Sequence, residues 1–237
     1  MRLTDQQIFK YEEDGFVIVP GLFDTTTVQE MAEHYMNLRA EGLKPGDYSG
    51  TADHPEDANH KYPRMLNMHQ WDKISEKWVM WPDLLTPLEQ LLRDKPVIYQ
   101  SMVYFKPPGA RGQAFHQDQQ YLPLDPLIGV WVALDDSIEP VGPMRLVPGS
   151  HRYGLLPVEI ADTSTSFTDQ QVTPPEGTPK PVRADMEPGD VLFWDGKVVH
   201  GSHPNVTDTR WRRSFICHFI GEDSKKFEAD IVQKMWV

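Results

Sequence analysis

The sequence predicts an α+β fold that is mainly β, with helices gathered before residue 95 and a β-sandwich or barrel core after Pro96. Three observations predict it. The N-terminal part carries helix-length amphipathic runs with cap signals. From Pro96 onward the chain breaks into short runs rich in β-branched and aromatic residues. Turn signals such as PPGA, DDSIEPVGP, EPGD and WDG separate those runs. The 237 residues are enough to bury a substantial core. We expect a single domain over 1–237, with 1–95 a helical flank and lid loop, and 96–220 the β core.

The elements follow in order. In "LTDQQIFKYEEDG", Thr4 and Gln7 form a capping box, and the helix runs to about Glu13 and stops at Gly15. "FVIVPGLF" is a short strand. "DTTTVQEMAEHYMNLRAEG" is a second helix, capped by Asp24 or Thr25 and ended by Gly42. Residues 43–62 are rich in Pro, Gly, Asp and Asn, so a long loop is expected, with the length of a lid that closes over a site. "ISEKWVMWPDLLTPLEQLLRD" holds helix pieces broken at Pro82. Then come the strand candidates "VIYQSMVYFKPPG", "GQAFHQDQQYL", "IGVWVALDDS", "GPMRLVPGSH", "VRADMEPGDVLFWDG", "KVVHGSHPN" and "RRSFICHFIGE". A polar loop, "EIADTSTSFTDQQVTPPEGTPKP", interrupts them.

Charge narrows the partners. The net charge is −12, from 23 Lys and Arg against 35 Asp and Glu. Phosphate backbones recruit basic surfaces, so no nucleic acid partner is expected. The longest basic clusters are Arg210/Arg212/Arg213 and Lys225/Lys226. A single cysteine, Cys217, excludes an internal disulfide framework and a cysteine-rich zinc module. No apolar h-region opens the chain and no run reaches the length of a membrane span, so a cytoplasmic protein without a membrane partner is expected. Oligomeric state leaves no signal.

The chemistry centres on "AFHQDQQYLPLDP", residues 114–126. On a strand, residues two apart point to the same side, so His116 and Asp118 aim an imidazole and a carboxylate into one space. That pair is a salt bridge, an ordinary hydrogen bond, or two of three ligands of a metal. His200, after the apolar "KVV", supplies a third candidate, and two strands joined by the WDG turn would deliver it to the sheet interior. A 2-His-1-carboxylate set leaves three positions open on one side of a metal, as oxygen-activating iron requires. His203 competes for the distal position, but Pro204 marks it as loop.

The flanks decide between these readings. "FHQDQQYLP", "PMRLVPGSH", "GDVLFWDGKVVHGSHPN" and "RRSFICHF", in this order, resemble the phytanoyl-CoA dioxygenase (PhyH-like) family of Fe(II)/2-oxoglutarate oxygenases, and "LTDQQIFKYEEDGFVIVPGLFD" looks like that family's opening. The resemblance covers roughly residues 4–220 and is thin over 43–62 and 157–180. It implies a double-stranded β-helix, or jelly-roll, with the N-terminal helices packed outside. It implies an enzyme that oxidises a small organic molecule, by hydroxylation or a related oxidation, while 2-oxoglutarate and O2 yield succinate and CO2. Fe(II), 2-oxoglutarate and O2 are the implied cofactor and cosubstrates. His116, Asp118 and His200 are the implied iron ligands and catalytic residues. Arg212, Ser202 and Trp131 are the implied cosubstrate residues, with Arg212 favoured over Arg210 and Arg213. Gln100, Gln120, Tyr121, Arg64 and His69 are substrate candidates, and Asn67 could touch either. Asp118 stands where halogenating relatives have a small residue, which argues against halogenation. The competing expectations are a non-catalytic jelly-roll that binds a small molecule, and a cupin-like metal enzyme that uses no 2-oxoglutarate.

Simpler roles suit the other marked residues. His151 reads as a turn residue, His218 as a satisfied core histidine on the Arg212 face, and Asn205 as a loop fastener. Met65, Met68, Trp71, Trp78 and Trp81 read as packing.

Overall fold

Thr4 starts the first helix, α1 (Asp5–Asp14), as its capping box predicts. Its side chain accepts from the Gln7 backbone N–H, while the Gln7 side chain accepts from the Thr4 N–H. Gly15 ends the helix at φ 84°, a left-handed conformation that favours glycine. The computed structural model describes residues 1–51 and 53–224. Ala52 and residues 225–237, with the Lys225/Lys226 pair, lie outside the described residues.

The chain continues through β1 (Phe16–Val19), α2 (Thr25–Ala40), α3 (Ala58–Lys61), β2 (Met65–Leu66), α4 (Lys73–Val79) and α5 (Pro82–Leu92). Pro82 does break the helical stretch, because it sits at the first turn of α5, where its missing N–H leaves no bond unmade. Ten strands follow: β3 (Pro96–Tyr104), β4 (Gln113–His116), β5 (Leu127–Ala133), β6 (Met144–Leu146), β7 (Val158–Ile160), β8 (Gln170–Val172), β9 (Val182–Ala184), β10 (Val191–Asp195), β11 (His200–Ser202) and β12 (Ser214–Gly221).

A six-stranded sheet runs in the order β1-β10-β5-β12-β3-β2, and a four-stranded sheet in the order β4-β11-β6-β9. Their pairings are antiparallel. The larger sheet is apolar on both faces. Val103, Val130, Phe193, Phe215 and Phe219 pack with Met31, Tyr35, Trp78 and Leu84 of the helices. On the other face, Met102, Trp131, Leu192, Trp194 and Ile216 meet Met144, Leu146 and Ala184 of the smaller sheet. Two facing sheets with helices outside are the jelly-roll that the sequence predicts. Burying a large side chain such as Phe215 stabilises by roughly 1.5–3 kcal/mol, so the doubly covered sheet anchors the fold.

Three local expectations change. Asp118 is not on a strand: β4 ends at His116, and Asp118 opens a short 3-10 turn to Gln120. The WDG turn does not join two strands of one sheet, because β10 belongs to the larger sheet and β11 to the smaller. The polar segment after Leu156 is not all loop, since β7 and β8 pair within it.

Residues 43–62 are fastened to the body. Buried Arg39 donates to both carboxylate oxygens of Asp47, at 2.6 and 2.8 Å. Arg111 donates through Nε to Asp57, and its Nη1 donates to the Thr163 and Ser166 carbonyls. The Thr51 N–H donates to the Phe167 carbonyl, so this segment also touches the β7–β8 region. Among the described residues no helix is long and apolar enough to cross a membrane.

Candidate active site

The site lies between the sheets, and strand register builds it. His200 on β11 pairs directly with His116 on β4, and their rings lie 4.2 Å apart between centroids. Each ring uses Nδ1 on a carbonyl two residues back: His116 on Ala114 at 2.9 Å, His200 on Val198 at 3.0 Å. A carbonyl only accepts, so Nδ1 carries the proton and Nε2 presents a lone pair. Both Nε2 atoms stand 3.6 Å from Asp118 Oδ1. The three ligand atoms lie within 4.8 Å of one another, all on buried residues. A two-nitrogen, one-oxygen donor set of this kind fits Fe(II).

The other oxygen of Asp118 is already held. Trp194 Nε1 donates to Oδ2 at 2.8 Å, and His218 Nε2 lies 3.0 Å from it. Gly129 makes this possible. On β5 it faces Trp194 on one side and His218 on the other. A Cβ on Gly129 would fall 2.2 Å from the Trp194 ring, so only glycine lets the indole lie across β5 and reach Asp118. The carboxylate is thereby turned to offer Oδ1 alone. Burial raises the Asp118 pKa, but His200, His218 and His116 outweigh it and hold the carboxyl well below its usual range. Burial, then the neighbouring His200, pulls His116 down to about 3, so its ligand lone pair stays free at neutral pH.

Beside the triad is a cationic pocket. Arg212 is 2% exposed, lies over the Trp131 ring at 5.2 Å, and makes no ion pair among the described residues. Burial lowers it to about 10, still charged at neutral pH. Lys106 Nζ donates to Ser202 Oγ and the Gly142 carbonyl, both at 3.0 Å, and to the His203 carbonyl. Arg212, Ser202, Trp131 and the triad line one cavity. A planar guanidinium with no acidic partner there can take a carboxylate through two parallel hydrogen bonds.

The competing arginines are engaged elsewhere. Arg213 binds both oxygens of Asp135, at 2.7 and 2.8 Å, and Arg210 meets Asp136 at the surface. Arg212, Ile216 and His218 line the same cavity, the shared face that strand parity expects. His203 faces Glu139 outside the triad. Asn205 donates to three carbonyls and fastens its loop.

A larger cleft opens beside His116 and Asp118. Gln100, Tyr121 and Arg64 line it. Gln120 and His69 do not. The Gln120 amide donates to the Leu156 carbonyl, and His69 Nδ1 lies 2.7 Å from Ser101 Oγ. Asn67 is held at φ 54° and starts a 3-10 turn. The sequence reading missed Lys106, Trp194 and Gly129, and its satisfied core histidine, His218, finds its partner in Asp118. A lysine before Pro-Pro inside an apolar run is the signal that could have found Lys106. The parity shared with Arg212 could have found His218.

Comparison with known proteins adds kinship. The family model described as phytanoyl-CoA dioxygenase (PhyH) matches residues 11–214. A phytanoyl-CoA dioxygenase of Arabidopsis thaliana is 26% identical over 222 residues, covering 90% of this chain and 77% of that protein. An ectoine dioxygenase of Bordetella bronchiseptica is 26% identical over 236 residues, covering 90% of this chain and 74% of that one. The crystal structure of SnoK, a non-heme alpha-ketoglutarate-dependent carbocyclase from nogalamycin biosynthesis, superposes with a TM-score of 0.75 at 22% identity, covering 92% of this chain and 84% of that one.

Proposed function

The chain belongs to the phytanoyl-CoA dioxygenase family of iron- and 2-oxoglutarate-dependent enzymes, and from that premise we propose that it hydroxylates, or otherwise oxidises, a small organic molecule held in the cleft beside His116, Asp118 and His200. One observation carries the reading. Three converging ligand atoms within 4.8 Å stand in the same cavity as a buried arginine with no acidic partner among the described residues. A metal alone would not need Arg212, and a carboxylate site alone would not need the triad.

His116, Asp118 and His200 would hold Fe(II). Iron bound there supplies the redox chemistry that couples 2-oxoglutarate and O2 to succinate, CO2 and an oxidised substrate. Everything else falls to the chain. Trp194 and His218 fix Asp118 so that one oxygen faces the two imidazoles. Arg212, with Ser202 and Lys106 beside it, would take the distal carboxylate of 2-oxoglutarate, and Trp131 walls that pocket. His116, Asp118 and His200 are buried between the two facing sheets. Burial and the Asp118 charge raise Tyr121 to about 12, so its hydroxyl stays protonated at the cleft wall and can donate to a substrate. The same reading takes residues 1–237 as one catalytic domain. It places the protein in a reducing cytoplasm, which suits its buried single cysteine.

The test is product formation. Purified protein supplied with Fe(II), 2-oxoglutarate and O2 should release succinate, and His200→Ala and Asp118→Ala should not. Succinate formation that ignores iron, or survives both substitutions, would overturn the assignment.

A further inference from the structure

The charge inside the cavities is opposite to the charge of the chain. The protein carries −12, yet among the described residues Asp118 is the only acidic one lining the three cavities around the site. Four cations line them: Arg64, Lys106, Arg111 and Arg212. Three have a role. Arg111 is paired with buried Asp57. Lys106 rests on two carbonyls and Ser202. Arg212 stands in the pocket assigned to 2-oxoglutarate. Arg64 is left over.

We propose that Arg64 binds a carboxylate on the substrate, so that the enzyme acts on a small organic acid with an apolar or aromatic body. This inference rests on the function proposed above. The guanidinium is caged by three rings, with its carbon 4.4 Å from the Tyr48 ring centre, 4.5 Å from Phe167 and 4.7 Å from Tyr104. Nη1 donates to the Tyr104 hydroxyl. The Arg64 backbone pairs with Tyr48, which fixes the stem. The three rings pack against the guanidinium, and Nε and Nη2 form its remaining edge. Among the described residues no protein acceptor meets Nε or Nη2, and no acid pairs with Arg64. That edge is the fork that matches a carboxylate.

Place and surroundings agree. Arg64 lines both the large cleft and the smaller cavity next to Arg212, so a group bound there is within the same chamber as the triad. Leu66, Tyr99, Met102, Leu122 and Pro123 supply an apolar wall for the rest of the molecule. A cationic substrate would find no free acid in the cleft. Two of the caging rings, Tyr48 and Phe167, come from the connections 43–62 and 157–180.

The experiment uses protein loaded with Mn²⁺ and saturated with 2-oxoglutarate, so that Arg212 is occupied. Matched acids and primary amides on phenyl, cyclohexyl and indole bodies are then titrated by calorimetry. At least one acid should bind about tenfold or more tighter than its own amide, as a charge-assisted pair gives. Arg64→Met should erase that preference and Arg64→Lys should keep part of it. Both variants should bind 2-oxoglutarate within about twofold of the parent, which also shows that they are folded. The proposal is overturned if no acid is preferred, including the case in which none binds, or if the preference survives Arg64→Met. It is also overturned if the variants lose 2-oxoglutarate together with the acids, which would put Arg64 in the cosubstrate pocket. A parent protein that fails to bind 2-oxoglutarate before any acid is added would take down the proposed function itself, and this inference with it.

Discussion

The floor of the site and its rim are built by different means. The floor is strand register: His116 opposite His200, and Trp194 and His218 on either side of Gly129. Each residue there is placed by hydrogen-bonded neighbours over its length and buried by the facing sheet. The rim is built from connections, residues 43–62 and the region around β7 and β8, held to the body by the Arg39–Asp47 and Arg111–Asp57 pairs and by the stacked rings around Arg64. The difference teaches that chemistry and selectivity are separable here. On the proposed function, strand register brings the two metal-binding histidines together, and a few side chains on connections set what enters.

Breaking the floor should therefore cost more function than breaking the rim. Arg212→Ala leaves a carboxylate without its partner in a buried pocket, so the KM for 2-oxoglutarate should rise about a hundredfold or more, as steady-state kinetics will read. Arg210→Ala and Arg213→Ala should change it little, because Asp136 and Asp135 hold those side chains away.

Gly129→Ala sharpens the comparison further. It touches no ligand, but the new Cβ would displace the Trp194 ring and free Asp118 Oδ2. Metal affinity should fall by about 10–100-fold in a competition titration, in line with the loss of a group that orients a ligand. His218→Phe should fall in the same range.

The rim breaks differently. Asp57→Asn removes the charge facing buried Arg111, and should lower stability by about 1–3 kcal/mol in denaturant unfolding. Metal affinity should stay within about twofold of the parent. Equal losses in stability and metal affinity would show that floor and rim are one unit.

How much of this was legible follows the same line. The triad could be read because the runs flanking the H-x-D pair and the later histidine resembled a family, whereas the spacing alone left a salt bridge or a hydrogen bond equally open. Arg212 followed from matching "SFICHF" to that family's last core strand, with parity in partial agreement. The supports of Asp118 were not legible, because Trp194 and His218 lie 76 and 100 residues from it in sequence. Their meeting depends on which strands neighbour β5, and no local pattern records that. Asp118 itself was expected on a strand, yet its turn gives the same convergence, since the chain needs only to bring one oxygen near two rings. Gln120 and His69 looked free in the sequence because their partners, Leu156 and Ser101, are distant neighbours of the same kind.

The smallest effect concerns pH. Burial, with Arg212 nearby, lowers Lys106 well below its ordinary value of 10.5. Between that lowered value and 10.5 the unfolded chain binds more protons at this position than the native one, so stability rises with pH in that window. The parent protein should therefore gain stability relative to Lys106→Met as pH climbs toward 10.5, measured by denaturant unfolding at a series of alkaline pH values. A difference that stays flat would mean that Lys106 keeps its proton throughout.

The account's central claim is that one metal on His116, Asp118 and His200 and one 2-oxoglutarate on Arg212 share a single cavity. The most direct measurement is an anaerobic titration of the Fe(II)-loaded protein with 2-oxoglutarate, followed by the charge-transfer absorption of a keto acid bound to ferrous iron. The account predicts a saturable band at one equivalent, absent in His200→Ala, and reached only at about a hundredfold higher 2-oxoglutarate in Arg212→Ala. A parent protein that shows no band at any concentration, or a band that Arg212→Ala leaves at the same midpoint, would contradict it.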